Sequence, residues 1–591
     1  MNILGVNAFH GDASAAIVVD GRLLLAIEEE RLNRRKHCAG FPSLAVKKMI
    51  EGAGLRPEDL EHIAVSRDPK ANLQKKILFA LQKRPSFTKM VKDRLANVAK
   101  VRGLKEHVAT ALGVDAHRIS AKIHNVEHHK AHMSSAFFVS PFEEAACLSI
   151  DGFGDFVSTM RGHGRDRDIE VLDRIEFPHS AGLFYTAITQ FLGFHRYGEE
   201  WKMMGLAPYG EPKYVNEIKQ VIRPVDGGQF ELNLDYFRHH TDGVEMTWDD
   251  GSPHIGLVFS PKLSELLGPA RDPEDPDFFG KWADIARSAQ LVYEDIFFHV
   301  LNDLHRRTKS DRLALAGGCA LNSVANGKIF ERTPFREVYA QPGAGDDGTS
   351  IGAAFYVQHA ILRQPRRFVM DNAYCGPAFD DAQIQVAIEE AKTSAAGASL
   401  QVKHVDDETL FNETAASIAN GKVVGWFQGG MEFGPRALGN RSIVADPRRA
   451  DMKEILNTRI KHRETYRPFA PSILEDRVGQ IFERTEPSPF MLMVYRVRPE
   501  MRDKIGAITH VDGTGRLQSV SARTNPRYHA LIRAFDKITG IPLVLNTSFN
   551  EHEPIVATPK DAIACYLKTN MDILAIGNWV LTRAQSSASQ Q

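Results

Sequence analysis

The chain has 591 residues, 43% hydrophobic and 25% charged, with a formal net charge of -1. That length exceeds what one hydrophobic core serves, so two or more domains are expected; the even charge offers nothing to draw nucleic acid, and no segment reaches the roughly 20 apolar residues of a membrane helix. Cys38, Cys147, Cys319, Cys375 and Cys565 are scattered without a CxxC pair, which argues against a disulfide framework or a thiolate zinc site and for a reducing compartment.

In chain order, the first residues, MNILGVNAFHGD, lack the charged start and long apolar run of a secretory signal, and the expected location is cytoplasmic. ILGVNA, SAAIVV and RLLLAI are apolar runs separated by turn material, the last two by Asp20-Gly21, and are predicted as three short strands. A helix is predicted from about Ser43 to Gly54 and a strand around His62 to Val65. Lys75 to Lys105, rich in Lys and Arg, reads as a solvated helical face or as an electrostatic guide for anionic substrates. The strand-hairpin order recurs at Ala146 to Arg161, where CLSI is predicted to run into the turn DGFGD and return as FVSTMR; acidic and glycine residues at two hairpin tips suit phosphate and metal chemistry. The stretch Phe230 to Ile255, aromatic and acidic, reads as an acceptor contact or as an ordinary structured insertion. A predicted helix over 353–362 ends in RQPRRF, where a proline among charges marks the domain boundary. Residues 1–362 are then the first domain and 363–591 the second, which alternates strand and helix signals to about Arg583 before a polar tail from Gln585 that is expected to fray.

Three constellations could carry chemistry. His128 and His132 lie four apart in VEHHKAHMSSAFF, whose spacing is helical, so both imidazoles share one face. Alone, such a pair is equally a surface or core feature, but Asp151 directly follows CLSI and Asp346 sits in the glycine-rich turn PGAGDDGTS. Two imidazoles with two carboxylates suit Fe(II), Mn or Zn and are poor for Cu(I) or Ca, and an ion there would act as a Lewis acid toward phosphate or acyl oxygen. The loops LALAGGCALNSVAN and QPGAGDDGTSIGAA would let backbone N–H groups approach a nucleotide, or are plain tight turns; neither carries a Walker or GxGxxG pattern. Finally, GWFQGGMEFGPRALGNRS and NTRIKHRETYRPFAP gather Arg436, Arg441, Lys461, Arg463 and Arg467. Two like charges at about 4 Å repel by roughly 4 kcal/mol at an effective dielectric of about 20, so their convergence requires a bound anion; Arg pairs bidentately with phosphate, whereas Lys is a point charge. Arg516 follows GTG, and LNTSFN adds Asn546, Thr547, Ser548 and Asn550 as polar groups. On charge alone, the same cations also read as independent surface ion pairs.

With the first hairpin bearing His10 and Asp12, and with HHKAH, SIDGFGD, EEWKMMGLAPYG, GGCALN, GDDGTSIG, FGPRALGNRS, KHRETYRPFAP and LNTSFNEHEPIV, nearly the whole chain resembles the NodU and TobZ family of O-carbamoyltransferases. The resemblance implies an α/β protein, an N-terminal actin-like, sugar-kinase ATPase (ASKHA) domain joined to a C-terminal YrdC-like α/β domain. It implies that the second domain turns carbamoyl phosphate and ATP into carbamoyl adenylate, and that the first transfers the carbamoyl group to a hydroxyl of a small acceptor, a natural product or sugar. An adenylate gives poorly electrophilic carbamate a leaving group that metal and Arg charge can stabilise. The implied metal ligands are His128, His132, Asp151 and Asp346; the implied carbamoyl phosphate contacts are Arg436, Lys461, Arg467, Arg516, Asn546 and Ser548, with Arg436 and Lys461 also catalytic. Gly317, Gly318 and Asn322 are the implied nucleotide contacts. The implied cofactors are ATP with Mg and a divalent metal, Fe(II) foremost, Mn or Zn as alternatives. Many members place His and Asp side by side in the first hairpin, whereas Gly11 separates His10 from Asp12 here; His10 is expected as general base for the acceptor hydroxyl, with Asp12 in the catalytic set. A tRNA threonylcarbamoyl-type enzyme fits less well because the charge is even, and a hydrogenase-maturation-type enzyme because zinc-finger cysteines are missing. A non-catalytic nucleotide-binding scaffold fits less well because every matched position holds a competent side chain. The partners expected are carbamoyl phosphate and a small hydroxyl-bearing acceptor, without nucleic acid or membrane, with a homo-oligomer left open.

Overall fold

A computed structural model describes residues 1–76, 79, 103–243, 246–247, 251 and 253–583. Most of the basic stretch Lys75 to Lys105, part of Phe230 to Ile255 and the tail from Gln585 lie outside the described residues. The chain divides into two units, Met1–Met370 and Asp371–Gln591, so the division falls somewhat later than the 362/363 boundary expected from RQPRRF. The reason is Arg366, whose guanidinium donates to the carbonyls of Phe137, Ser140 and Phe142 at 2.6–2.9 Å, while Met370 N–H donates to Val139 O at 2.8 Å. These bonds tie the charged, proline-bearing segment back onto the first unit.

Unit 1 is built on two five-stranded sheets of the same topology. In the first, β1 (Asn2–Asn7), β2 (Ser14–Val19) and β3 (Arg22–Glu28) form an antiparallel trio, and β4 (His62–Val65) and β5 (Lys122–Asn125) add parallel to β1, giving the order β3-β2-β1-β4-β5. In the second, β6 (Glu144–Gly154), β7 (Val157–Arg165) and β8 (Asp168–Glu176) form the trio, and β9 (Arg312–Ala316) and β10 (Glu337–Ala340) add parallel to β6, giving β8-β7-β6-β9-β10. The three strands, the helix (Ser43–Gly52) and β4 expected at the N-terminus are present, and the turn between β2 and β3 forms because Asp20 and Gly21 both take positive φ, 48° and 79°. The repeated hairpin expected at Ala146 to Arg161 is also present, but DGFGD is not its turn. β6 runs on to Gly154, its register shifts between Ile150 and Gly154, and the reversal falls at Asp155 and Phe156, both at positive φ. Extra residues on one strand of a ladder swing a side chain out of the pleat, and this bulge does so at Asp151.

Helix α1 (His128–Phe137) follows β5, and α2 (Lys281–Thr308) precedes β9. Helix α3 (Thr349–Tyr356) packs against α1 and β1, which Gly352 and Gly5 permit: a Cβ at either would collide with the backbone carbonyl of Ala131 or Ser350. Among the described residues no helix is long and apolar enough to cross a membrane. Unit 2 holds one mixed nine-stranded sheet. Its strands are β11 (Leu400–His404), β12 (Val424–Phe427), β13 (Arg441–Ala445), β14 (Ala470–Leu474), β15 (Met493–Arg496), β16 (Thr514–Val520), β17 (Leu543–Ser548), β18 (Ile573–Ile576) and β19 (Trp579–Arg583), in the order β11-β19-β18-β12-β13-β17-β14-β16-β15. The central strands β12, β13 and β14 are buried along their whole length, as strands covered on both faces must be. Helix α4 (Pro526–Thr539), N-capped by the Asn525 carboxamide, buries Leu531, Ile532 and Phe535. Both units are α/β, the class expected from the sequence.

Candidate active site

Unit 1 converges on four donors. Glu127 caps α1, its carboxylate accepting from Lys130 N–H, and the first turns of the helix then present His128 and His132 on one face. The β6 bulge brings up Asp151, and the turn before α3 brings up Asp346. His132 Nε2 lies 3.1 Å from His128 Nε2, 3.3 Å from Asp151 Oδ2 and 3.5 Å from Asp346 Oδ1, while His128 Nε2 lies 3.4 and 3.5 Å from the same two oxygens. Four ligands about 2.1 Å from one ion in tetrahedral array are separated by about 3.4 Å, so the donor set fits a divalent ion of the zinc and iron group. Both histidines are fully buried, and their Nδ1 atoms lack a hydrogen-bond partner, so packing holds the rings: His10 stacks on His128 at 5.2 Å, and Gly154 has no room for a Cβ against it.

The electrostatics are those of a cage made for positive charge. Burial pulls the His132 imidazole down, but hydrogen bonds to Asp151 and Asp346 outweigh it and lift it to about 9. Burial raises both carboxyls, yet their imidazole partners hold Asp151 and Asp346 well below the usual carboxylate range. His129, between the two ligands, faces elsewhere: its ring nitrogens meet Ser149 Oγ and Val157 O at 2.8 Å each, and burial keeps it neutral. Gly318 N–H donates to Asp151 Oδ1 at 2.9 Å, and Gly317 takes φ +92°, so the first glycine loop abuts the cage. The Asn322 carboxamide instead pairs with Gln290 at 3.1 and 3.2 Å and accepts from Ala325 N–H at 3.0 Å, a buried structural network.

The first hairpin sends its two polar residues different ways. His10 Nδ1 reaches Asp346 Oδ2 at 3.6 Å, whereas Asp12 Oδ1 meets His37 Nδ1 at 2.8 Å. Tyr197 lies edge-on to His37 at 5.4 Å and occupies the space a side chain at position 11 would need, a Cβ there falling 2.6 Å from its hydroxyl. That contact accounts for glycine at position 11. Among the described residues, Asp12, Glu30 and His37 form a second small donor group; no motif in the sequence marks His37.

Unit 2 gathers guanidinium groups. Burial, and then the charges of Arg436, Arg463 and Arg467, push Arg516 well below the usual arginine range; burial and Arg467 push Arg463 down likewise, and bring Arg436 to about 10. These guanidinium groups lie close enough for their charges to act on one another, and the Nε atoms of Arg436 and Arg516 are buried without a hydrogen-bond partner. Arg463 turns one edge to Asn457 Oδ1 at 3.1 Å and stacks on Phe469, and Arg467 lies 3.5 Å from Glu464. Lys461 Nζ donates to the carbonyls of Ser548 and Asn550 at 2.6 and 2.7 Å and to Asn550 Oδ1 at 2.8 Å, with Ser548 Oγ at 3.4 Å. Asn546 Nδ2 donates to Ala437 O at 3.0 Å, and its Oδ1 is buried without a partner. Arg441, grouped with these cations by sequence, belongs to the core: fully buried, it donates to the carbonyls of Gln428, Asn440, Pro377 and Gly429 at 2.6–3.2 Å and stacks on Phe427 at 3.7 Å.

A family model described as Carbamoyltransferase N-terminus matches residues 2–355, and one described as Carbamoyltransferase C-terminus matches residues 415–583. An uncharacterized protein of Synechocystis sp. is 38% identical, covering 100% of this chain and 98% of its own length. Nodulation protein NolNO of Sinorhizobium fredii is 37% identical over 98% of this chain and 80% of its own, and nodulation protein NolO of Bradyrhizobium diazoefficiens is 39% identical over 78% and 80%. Among solved structures, HypF of T. kodakarensis is 16% identical, covering 61% of this chain and 48% of that one at a TM-score of 0.30, a likeness too slight to carry an argument.

Proposed function

This chain belongs to the carbamoyltransferase family and is a carbamoyltransferase, and from that premise we propose that it is an ATP-dependent O-carbamoyltransferase that divides its reaction between its two units. The observation that carries this reading is the pairing of a cation cage in unit 1 with a cluster of guanidinium groups in unit 2, since two half-reactions need two differently charged sites.

In unit 2, Arg436, Arg463, Arg467 and Arg516 bind carbamoyl phosphate, with Lys461, Ser548 and Asn546 at the edge of the cradle. Water cleaves carbamoyl phosphate to carbamate and inorganic phosphate. A carbamate oxygen then attacks the α-phosphorus of ATP, forming carbamoyl adenylate as pyrophosphate leaves. In unit 1, the adenylate is held beside the glycine loop at Gly317 and Gly318. The acceptor hydroxyl attacks the carbamoyl carbon, the bond to the adenylate phosphate oxygen breaks, AMP leaves with the electron pair, and His10 takes the hydroxyl proton. His128, His132, Asp151 and Asp346 would hold a divalent ion, Fe(II), Mn or Zn, which supplies Lewis-acid stabilisation of the oxygen that gains charge. The acceptor is a small hydroxyl-bearing molecule, and the protein acts in the cytoplasm.

The deciding experiment supplies purified protein with ATP and carbamoyl phosphate and follows inorganic phosphate and pyrophosphate, then screens acceptors by mass spectrometry. Arg516→Ala should stop pyrophosphate release, whereas His132→Ala should release pyrophosphate and fail in transfer. Loss of the same half-reaction in both variants would refute the division, and absence of both products from the wild type would refute ATP-dependent carbamoyl activation.

A further inference from the structure

Arg436 is carried by an irregular turn between β12 and β13, not by a helix or strand. Gly434 and Gly439 take φ of +100° and +102° there, and side chains, not a ladder, fix the path. Three backbone N–H groups converge on one oxygen, Glu432 Oε1: Leu438 at 2.6 Å, Asn440 at 3.1 Å and Arg441 at 3.1 Å. The Leu438 carbonyl accepts from the Tyr374 hydroxyl and from Gln518 Nε2, both at 2.7 Å, and the Ala437 carbonyl from Asn546 Nδ2 at 3.0 Å. Of these clamps only Glu432 is a carboxylate, and it is 2% exposed, with Oε2 buried and lacking a hydrogen-bond partner. A buried carboxylate with one oxygen unsatisfied is unfavourable by about 1–3 kcal/mol or more. The charge of the buried Arg441 guanidinium, which Glu432 supports, offsets part of that cost, and the turn that the carboxylate closes carries Arg436.

We propose that Glu432 is the positioning residue of the guanidinium cradle: by gathering the amides of Leu438, Asn440 and Arg441 onto one carboxylate oxygen, it sets the turn that aims Arg436 at the anionic substrate. The proposal rests on the reading of the cradle as the carbamoyl phosphate site. Glu432 itself touches no substrate. Charge-assisted bonds to backbone N–H are about twice as strong as neutral ones, so three on one oxygen make a stiff support, and a misplacement of about 1 Å in a binding group lowers effective catalysis by about a hundredfold. The sequence contains the signal in a weak form, since Glu432 is the only acid in GWFQGGMEFGPRALGNRS.

The test uses the full chain as wild type, Glu432→Gln and Glu432→Ala, with pyrophosphate release followed against carbamoyl phosphate and, separately, against ATP. Glutamine keeps an oxygen at the Oε1 position and alanine removes it. The KM for carbamoyl phosphate should rise by about tenfold or more in the alanine variant and by less than about threefold in the glutamine variant, while the KM for ATP stays within about twofold in both. An unchanged KM for carbamoyl phosphate in Glu432→Ala, or equal rises in both KM values, would overturn the proposal. Should the alanine variant not fold, Glu432→Asp takes its place: it keeps the charge but is one methylene too short, and a wild-type KM in that variant refutes the positioning role. If the wild type releases no pyrophosphate, the functional reading fails, and titration with inorganic phosphate decides the positioning claim: the variant must bind at least about tenfold more weakly than wild type, and equal affinity overturns it.

Discussion

Replacing Arg516 by methionine should make the free protein more stable while abolishing its response to phosphate. The charges of Arg436, Arg463 and Arg467 act on Arg516, and after burial itself they depress its proton affinity most. Like charges a few ångströms apart repel by a few kcal/mol at an effective dielectric of about 20; with screening by salt and solvent, relief of about 1–3 kcal/mol is expected. For a unit the size of Asp371–Gln591, each kcal/mol moves the melting temperature by about 2–4 °C, so Arg516→Met should raise the free protein's Tm by about 3–10 °C. Phosphate at about a hundred times its Kd stabilises a binding protein by about 2.7 kcal/mol, roughly 5–10 °C on the same scale, and the variant should lose that gain. Differential scanning calorimetry of the full chain at constant ionic strength, with phosphate exchanged for chloride, reads both effects. A variant that melts lower without phosphate and gains as much as wild type with it would refute the idea that these cations converge on an anion.

The remaining expectations concern other residues. Chelated protein should regain thermal stability with Mn, Zn or anaerobic Fe(II), and His132→Ala should bind the same ions more than about a hundredfold more weakly by calorimetric titration, since it removes a direct ligand and not merely an outer partner of one. Burial pulls His37 down, but its pairing with Asp12 outweighs this and raises it to about 9, above the roughly 6.5 of an unfolded histidine. The stability this pair contributes is therefore fully present below about pH 6.5 and lost as pH rises through about 9; in Asp12→Asn, histidine NMR should show His37 titrating lower, and urea midpoints should vary less across that window. Arg441→Met strands four carbonyls that now share a buried guanidinium and should lower stability by about 3 kcal/mol or more in urea denaturation; a neutral result would return Arg441 to the cradle.

Much of this protein is legible locally. The three N-terminal strands, the Asp20-Gly21 turn, the helix from Ser43 and the repeat of the hairpin at Ala146 follow from alternation, turn chemistry and apolar runs, which act over a few residues. The i, i+4 spacing of His128 and His132 likewise predicts a shared face before any fold is known. The four cage residues and the arginines also stand out in the sequence, because their types are scarce in otherwise apolar or glycine-rich segments. What sequence could not decide is which partner each group meets. Arg436 and Arg441 stand five apart in one motif, yet the charge of Arg467 acts on one and carbonyls enclose the other, because the chain enters β13 between them and Arg441 becomes part of a buried ladder. Asp12 turns to His37, not to His10, and Asn322 to Gln290, through contacts 25 and 32 residues apart in sequence. Even the place where β6 reverses depends on a bulge set by pairing with β7. Local propensity fixes which elements form; the choice among competing polar partners is made only when sheets and helices close, because a buried donor or acceptor takes whichever neighbour the packing brings within about 3 Å.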